Sequence, residues 1–255
     1  MSQPQLSIVV PCHNEESNLP LLVDAIDKAL GPLQISYEVI ITDDRSDDGS
    51  WQVLQQLAAS HPQVMGQRMR YNRGESAASW AGMKIARGRY IVTMDADLQN
   101  DPADLPKFVE ALERADCVCG TRVASRGEGD HIIRIISSRV ANWVRNGLSG
   151  EQISDAGCTY RAFRRECIDN LKFFKGMHRF LPTLFKIEGH SVIEIPVANN
   201  PRLYGSAHYG VWNRLFASFY DLLAVRWMKS RMISYEIEVR TEFAADASER
   251  PAGNL

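Results

Sequence analysis

The 255-residue chain has little of what marks several large functional classes. It carries no G-x-x-x-x-G-K-[ST] loop, and no G-x-G-x-x-G follows either of its first two apolar runs, which argues against P-loop and dinucleotide sites. No stretch reaches the roughly 18 uninterrupted apolar residues of a membrane-spanning helix. The nearest, Leu215 to Met228, is broken by Asp221 and Arg226. The N-terminus has no charged segment leading into an apolar run, so no signal peptide is expected. Five cysteines (Cys12, Cys117, Cys119, Cys158, Cys167) are odd in number and lack zinc-like pairing. They read as a reduced, cytosolic set, with Cys117 and Cys119 as small core residues of an apolar strand. A net charge of −2 gives no general attraction to nucleic acid, so no nucleic-acid partner is expected.

What is present is an alternation of strand and helix patterns. Apolar, β-branched runs at Leu6–Val10, Tyr37–Thr42, Val64–Met69, Tyr90–Met94 and Asp116–Gly120 alternate with helical spacing. The helices are expected from about Ser17 to Leu30, Ser50–Ala59, Ser76–Ala86 and Pro102–Arg114. This predicts an α/β fold, a doubly wound, mostly parallel open sheet with helices on both faces. Beyond Thr121 a polar loop, a helix near Ile132–Gly147, strands at Gly157–Phe163 and Ser191–Val197 and a helix at Arg179–Ile187 are expected. A long apolar and basic helix then runs from Val211 to about Ile233, before a polar tail.

Acidic segments follow three of the strands: Asn14-Glu15, Asp43-Asp44, and Asp95-Ala96-Asp97-Leu98-Gln99. Carboxylates just past the carboxyl ends of parallel strands gather at the edge where open α/β sheets bind ligands. On an extended segment Asp95, Asp97 and Gln99 point to one side and can converge on Mg²⁺ or Mn²⁺, hard cations that share oxygen ligands with phosphates. The alternative, an acidic turn capping a helix, accounts for Asp101 but not for the pair before it. Asp47, Asp48 and Ser50 are good cap residues for the helix they precede, while Asp43 or Asp44 could accept from a nucleobase N–H. The pattern points to a metal-dependent enzyme with a nucleotide-linked substrate.

Several ordered motifs resemble the family 2 glycosyltransferases of the GT-A fold, in the dolichyl-phosphate mannosyltransferase-like branch. They are Ile8-Val9-Val10-Pro11-Cys12-His13-Asn14-Glu15, Thr42-Asp43-Asp44-Arg45-Ser46, Asn72-Arg73-Gly74 with Gly82 and Ala86-Arg87-Gly88, and Met94 through Pro102. Gly120-Thr121-Arg122, Met177-His178-Arg179-Phe180 and Arg202-x-x-Gly205 with Tyr209-Gly210 complete the set. The resemblance covers Leu6 to Trp227. It implies that Pro11, His13, Glu15, Asp43 and Asp44 line the nucleotide pocket and that Asp95, Asp97 and Gln99 hold the metal. It also implies that Arg122, Arg134 and Ser138 hold the phosphate of a lipid-phosphate acceptor, and that Arg202 contacts the donor diphosphate. His13 stands where the branch usually has tyrosine, and His208 where it usually has lysine; the second replaces a permanent cation with one that titrates near neutrality.

The expectation is inverting transfer of a hexose from a GDP- or UDP-sugar to a polyprenyl phosphate, an acceptor whose oxygen is already anionic. A sugar hydroxyl acceptor is the alternative and needs a general base; Asp155 is the best-placed carboxylate for it. A non-catalytic nucleotide-sugar-binding protein is the third reading. Residues 1–205 are read as the catalytic domain, with a nucleotide half to about 121 and an acceptor half from 122. Residues 206–233 form the amphipathic helix and 234–255 the tail. That helix suits peripheral contact with the cytoplasmic face of a membrane; packing on its own domain or on a second copy of the chain is the alternative.

Overall fold

The computed structural model describes residues 3–123, 153–155, 157–201, 211–233 and 238–239, with the backbone alone described for 211–218. The helix expected near 132–147 and nearly all of the polar tail lie outside the described residues. Seven strands form one sheet: β1 (Leu6–Cys12), β2 (Tyr37–Asp43), β3 (Val64–Arg68), β4 (Tyr90–Thr93), β5 (Cys117–Thr121), β6 (Arg161–Arg164) and β7 (Val192–Pro196). Their order is β3-β2-β1-β4-β6-β5-β7. All pairings are parallel except those of β6, which runs antiparallel between β4 and β5. The expected mostly parallel sheet is therefore present, and strands from both halves of the chain are built into it.

The helices are α1 (Leu19–Leu30), α2 (Ser50–Ser60), α3 (Glu75–Ile85), α4 (Leu105–Ala111), α5 (Leu181–Ile187) and α6 (Val211–Arg231). Alternation along the strands sends Ile8, Val10, Val39 and Ile41 into one core with Leu22 and Ile26 of α1, Leu54 of α2 and Phe108 of α4. Val9, Ile40 and Ile91 face the other way, against Met83 of α3, Leu181 and Phe185 of α5, and Leu222 and Val225 of α6. A strand covered on both faces is apolar on both, which explains the run Ile8-Val9-Val10 in β1. Each such aliphatic side chain contributes about 1.5–3 kcal/mol by leaving water. Gly82 lets α3 approach β1, since a Cβ there would come within 2.6 Å of Val9 Cγ1.

Two elements differ from expectation. The helix expected over Pro102–Arg114 is a 3₁₀ turn at Pro102–Asp104 followed by α4. Pro106 has no N–H to offer the Pro102 carbonyl, and Leu105 N–H takes that carbonyl in the tighter turn. The strand expected from Gly157 begins only at Arg161, because Cys158 N–H is tied back to the Asp155 carbonyl in a turn (3.1 Å). Cys117 and Cys119 are core residues, 0% and 2% exposed.

At the end of the sheet opposite the acidic segments, Glu38 is 6% exposed and gathers four donors. Ser7 Oγ, Arg87 N and the Arg87 Nε and Nη2 atoms all donate to it, at 2.6–2.9 Å. Burial alone raises a carboxyl pKa; here those bonds outweigh it and hold Glu38 below its ordinary value of 4.5. A depressed carboxyl adds stability that is full above the unfolded-state pKa and is lost as pH falls through the lowered one. Glu38→Gln should therefore cost roughly 1.5–3 kcal/mol at pH 7. The deficit should shrink as pH falls below about 4.5, as urea titrations at stepped pH would show; a pH-independent deficit would contradict this account.

Candidate active site

The turns leaving β1 and β2 are locked to each other. Asn14 and Arg45 hold left-handed backbone (φ 59° and 62°). Asn14 N donates to Ser46 Oγ (2.9 Å), Asp47 N donates to Asn14 Oδ1 (2.9 Å), and Glu15 N donates to Ser50 Oγ (2.8 Å). Asp43, fully buried, accepts from Ser46 N and Oγ (2.9 and 2.5 Å). Arg68 Nε lies 2.9 Å from Asp43 Oδ2, yet neither atom has a well-aligned hydrogen bond, so this is an ion pair only. Asp44 accepts from the backbone N–H groups of Arg73 and Gly74, both at 2.7 Å. Both carboxylates thus brace the turns around the expected nucleotide pocket. Pro11 lines the cleft beyond, Asn72 Nδ2 lies 3.4 Å from His13 Nδ1, and Glu15 Oε2 accepts from Asn18 Nδ2 (2.5 Å). The cap position of α2 is Gly49, one residue past the expected Asp48, whose carboxylate accepts from Ser50 N at 2.9 Å.

β4 ends at Thr93, and the acidic segment after it turns instead of staying extended. Asn100 Oδ1 accepts from Asp95 N (3.0 Å), Asp97 Oδ1 accepts from Gln99 N (3.1 Å), and Leu98 takes φ 60°. Asp and Asn side chains bonding the backbone close by are what close such turns. Asp95 lines the cleft and accepts from Thr159 Oγ1 (2.7 Å), while Asp97 is 5% exposed. Burial pushes the Asp95 carboxyl up; the Thr159 hydroxyl opposes this, the Asp97 charge adds to it, and Arg122 and Arg161 oppose it. Two neighbouring carboxylates, one driven toward its neutral form, fit a place where a cation would sit. Among the described residues no three His, Cys, Asp or Glu side chains cluster, so a cation here would complete its shell with other oxygens.

Asp155, 3% exposed, is committed to Arg122. It accepts from Arg122 Nε at 2.8 Å and Nη2 at 3.3 Å, a two-pronged pair. Burial works against the Arg122 charge and Asp155 more than restores it, raising its pKa. Arg134, Ser138, Arg202 and His208 lie outside the described residues.

Sequence reasoning gave no role to Arg161 or His178. Arg161 is 2% exposed, lines the cleft with Asp95, and donates through Nη1 to the His178 carbonyl. An arginine beginning the apolar run Ala162-Phe163 was the available signal, because such a charge needs a partner. His178 lines the same cleft with Glu75 and Ser79 of α3 and Leu181 of α5.

A mostly parallel sheet with acidic turns at its carboxyl edge defines an α/β protein of the kind that binds ligands at that edge. Residues 7–172 match the model of Glycosyl transferase family 2, and the chain belongs to that family. It is 35% identical over 219 residues to the undecaprenyl-phosphate 4-deoxy-4-formamido-L-arabinose transferase of Aeromonas hydrophila, covering 86% of this chain and 66% of that one. To the protein of the same name from Photorhabdus laumondii it is 35% identical over 221 residues, covering 86% and 67%. The chain thus spans about two thirds of the length of these relatives. The fold, of GT-A type, is shared with two solved structures. One is a mannosyltransferase of Pyrobaculum calidifontis with GDP-Man and Mn²⁺ (TM-score 0.61, 20% identity, 90% of this chain and 65% of that one). The other is the glucosyl-3-phosphoglycerate synthase of Mycobacterium tuberculosis with Mn²⁺, UDP and phosphoglyceric acid (0.65, 18%, 91% and 80%).

Asp155→Ala would leave Arg122, whose side chain is 18% exposed, without its carboxylate. This should cost about 3–5 kcal/mol, whereas Asp155→Leu combined with Arg122→Met should cost clearly less. Urea denaturation of the three proteins checks it; a double variant as unstable as Asp155→Ala would mean the pair is not a unit.

Proposed function

We propose that the chain transfers a sugar from a GDP- or UDP-linked donor to a polyprenyl phosphate, inverting the anomeric centre, at the cytoplasmic face of a membrane. An oxygen of the acceptor phosphate forms the new bond to the anomeric carbon, the bond to the nucleoside diphosphate breaks, and the diphosphate leaves with the electron pair. Asp95, Asp97 and Gln99 are the candidate ligands of Mg²⁺ or Mn²⁺, which would neutralise charge on the departing diphosphate. Pro11, His13, Glu15 and Asp44, with Asp43 behind them, would wall the nucleotide pocket. Arg202 and His208 would meet the diphosphate, and Arg134 and Ser138 would join Arg122 at the acceptor phosphate.

One observation carries the choice of acceptor. Arg122 is held by Asp155 and acts electrostatically on Asp95, so the group fixed beside the candidate metal ligands is a cation. A fixed guanidinium suits an anionic nucleophile, which needs alignment and no proton removal. Asp155 is then a positioning residue for Arg122 and not a base. The relatives' names, which specify undecaprenyl phosphate, support the same acceptor. The solved neighbours holding Mn²⁺ with GDP-Man or UDP support the donor class and the cation.

The long helix supports a lipid surface as partner. Among the described residues no helix is long and apolar enough to cross a membrane. Leu222 and Val225 of α6 pack into the core, while Phe219, Tyr220, Leu223 and Trp227 on its outer sides are 42–77% exposed. Arg226, Lys229 and Arg231 are exposed beside them. Outward aromatics flanked by cations fit an anionic membrane interface. Phe219→Ser with Trp227→Ser should lower sedimentation with phosphatidylglycerol-containing vesicles by about 10-fold or more. Unchanged sedimentation, or a stable dimer that buries these side chains, would count against it.

For the reaction itself, the protein is incubated with UDP- and GDP-sugars, Mn²⁺ and undecaprenyl phosphate in detergent, and products are read by mass spectrometry. A lipid-linked monosaccharide is expected, falling about 10²–10³-fold in Asp97→Ala. Transfer only to a saccharide hydroxyl, or a product unaffected by Asp97→Ala, would overturn the reading. Donor binding without any transfer would favour the non-catalytic alternative.

A further inference from the structure

We propose that His178 and Glu75 together read the hydroxyls of the transferred sugar, with Ser76 fixing which nitrogen of His178 donates. The inference rests on the donor site proposed above and concerns the wall of the cleft facing Asp95. That wall is built from the first turn of α3, which carries Glu75 and Ser76, and the turn before α5, which carries His178.

The proton placement follows from the hydrogen bonds. Ser76, 6% exposed, accepts from Gly176 N at 2.9 Å, and its Oγ lies 2.6 Å from His178 Nδ1. These are the hydrogen bonds of its hydroxyl among the described residues. If Nδ1 carried the proton, the serine would accept twice and its own buried hydroxyl proton would have no acceptor, an arrangement that costs free energy. The network therefore assigns Nδ1 as the acceptor and puts the ring proton of neutral His178 on Nε2.

Nε2 lies 3.5 Å from Glu75 Oε2, on a carboxylate whose side chain is 42% exposed at the cleft. That separation exceeds the roughly 2.7–3.2 Å of a well-made N–H···O bond. A substrate hydroxyl entering the cleft here would accept from Nε2 and donate to Oε2, making two well-formed hydrogen bonds. A sugar is the ligand class rich in such groups. The histidine cannot retreat from this position: Arg161 holds its carbonyl, and the same guanidinium acts electrostatically on Asp95. The hydroxyl-reading pair is thereby tied to the segment expected to meet the diphosphate, the sugar's own point of attachment. Sites built to bond a hydroxyl discriminate strongly against substrates that lack or misplace it, because their polar groups are then left unpaired.

The test is calorimetric titration, with Mn²⁺ present, of the wild type, Glu75→Gln, His178→Gln and Ser76→Ala. The ligands are UDP, GDP and their pentose and hexose conjugates, including epimers and a deoxy sugar. The wild type should distinguish sugars on the same nucleotide. Glu75→Gln and His178→Gln should each reduce that discrimination about 10-fold or more, the worth of a hydrogen bond to a charged or fixed partner, with bare-nucleotide affinity unchanged. Ser76→Ala should give a smaller loss of the same kind. Unchanged discrimination in both variants with intact nucleotide binding would overturn this inference alone, as would a wild type indifferent to the sugar. A parallel fall in bare-nucleotide affinity would reduce the pair to a structural role. A wild type that binds none of the nucleotides would overturn the donor site itself, and this inference with it.

Discussion

Parallel pairing of β1 with β2 on one side and β4 on the other dictates where the chain leaves the sheet. The register sets Cys12 opposite Asp43 and Val9 opposite Thr93, so three chain exits lie along one edge. Everything at the candidate site depends on that alignment, because the turns beyond it carry its groups. Alignment alone would leave them loose. The carboxylates close the turns by taking backbone N–H groups, Asp43 one from the following turn and Asp44 two from the distant Arg73-Gly74 segment. The turns are tied to their surroundings because these carboxylates bind backbone donors.

The electrostatics of the cleft are a balance held unfinished. Asp95 and Asp97 oppose one another in a partly desolvated place, and Arg122 and Arg161 relieve only part of the strain. Each arginine has a second attachment that fixes it, Asp155 for one and the His178 carbonyl for the other. Cations anchored in this way can bias a carboxylate without collapsing onto it.

Much of this was legible in the chain. The β-branched runs, the end of α1 at Leu30 and the acidic residues after three of the strands depend on neighbours within a few positions, and the structure has strands and a helix where these patterns put them. Asp43 and Asp44 were singled out for the nucleotide pocket; the brace role of Asp44 rests on backbone about thirty positions away, which local pattern does not reveal. The turn at Ala96-Asp97 was missed because alternation was extended past the end of β4, where Asn100 and Asp97 side chains capture the backbone. The contact of Ser76 with His178 spans 102 positions and joins two ordinary-looking turns. Only the fold makes it.

Gly176 has φ 89°, and a side chain there would fall on Asp221 Oδ2 of α6. Its N–H is also the donor that holds Ser76. One residue therefore sits against the long helix and also holds the wall carrying His178. The long helix and the cleft wall thus share a neighbour two residues before His178. Any side chain at this position would meet both a left-handed backbone and the Asp221 carboxylate, so packing of α6 and the turn before His178 share one steric requirement.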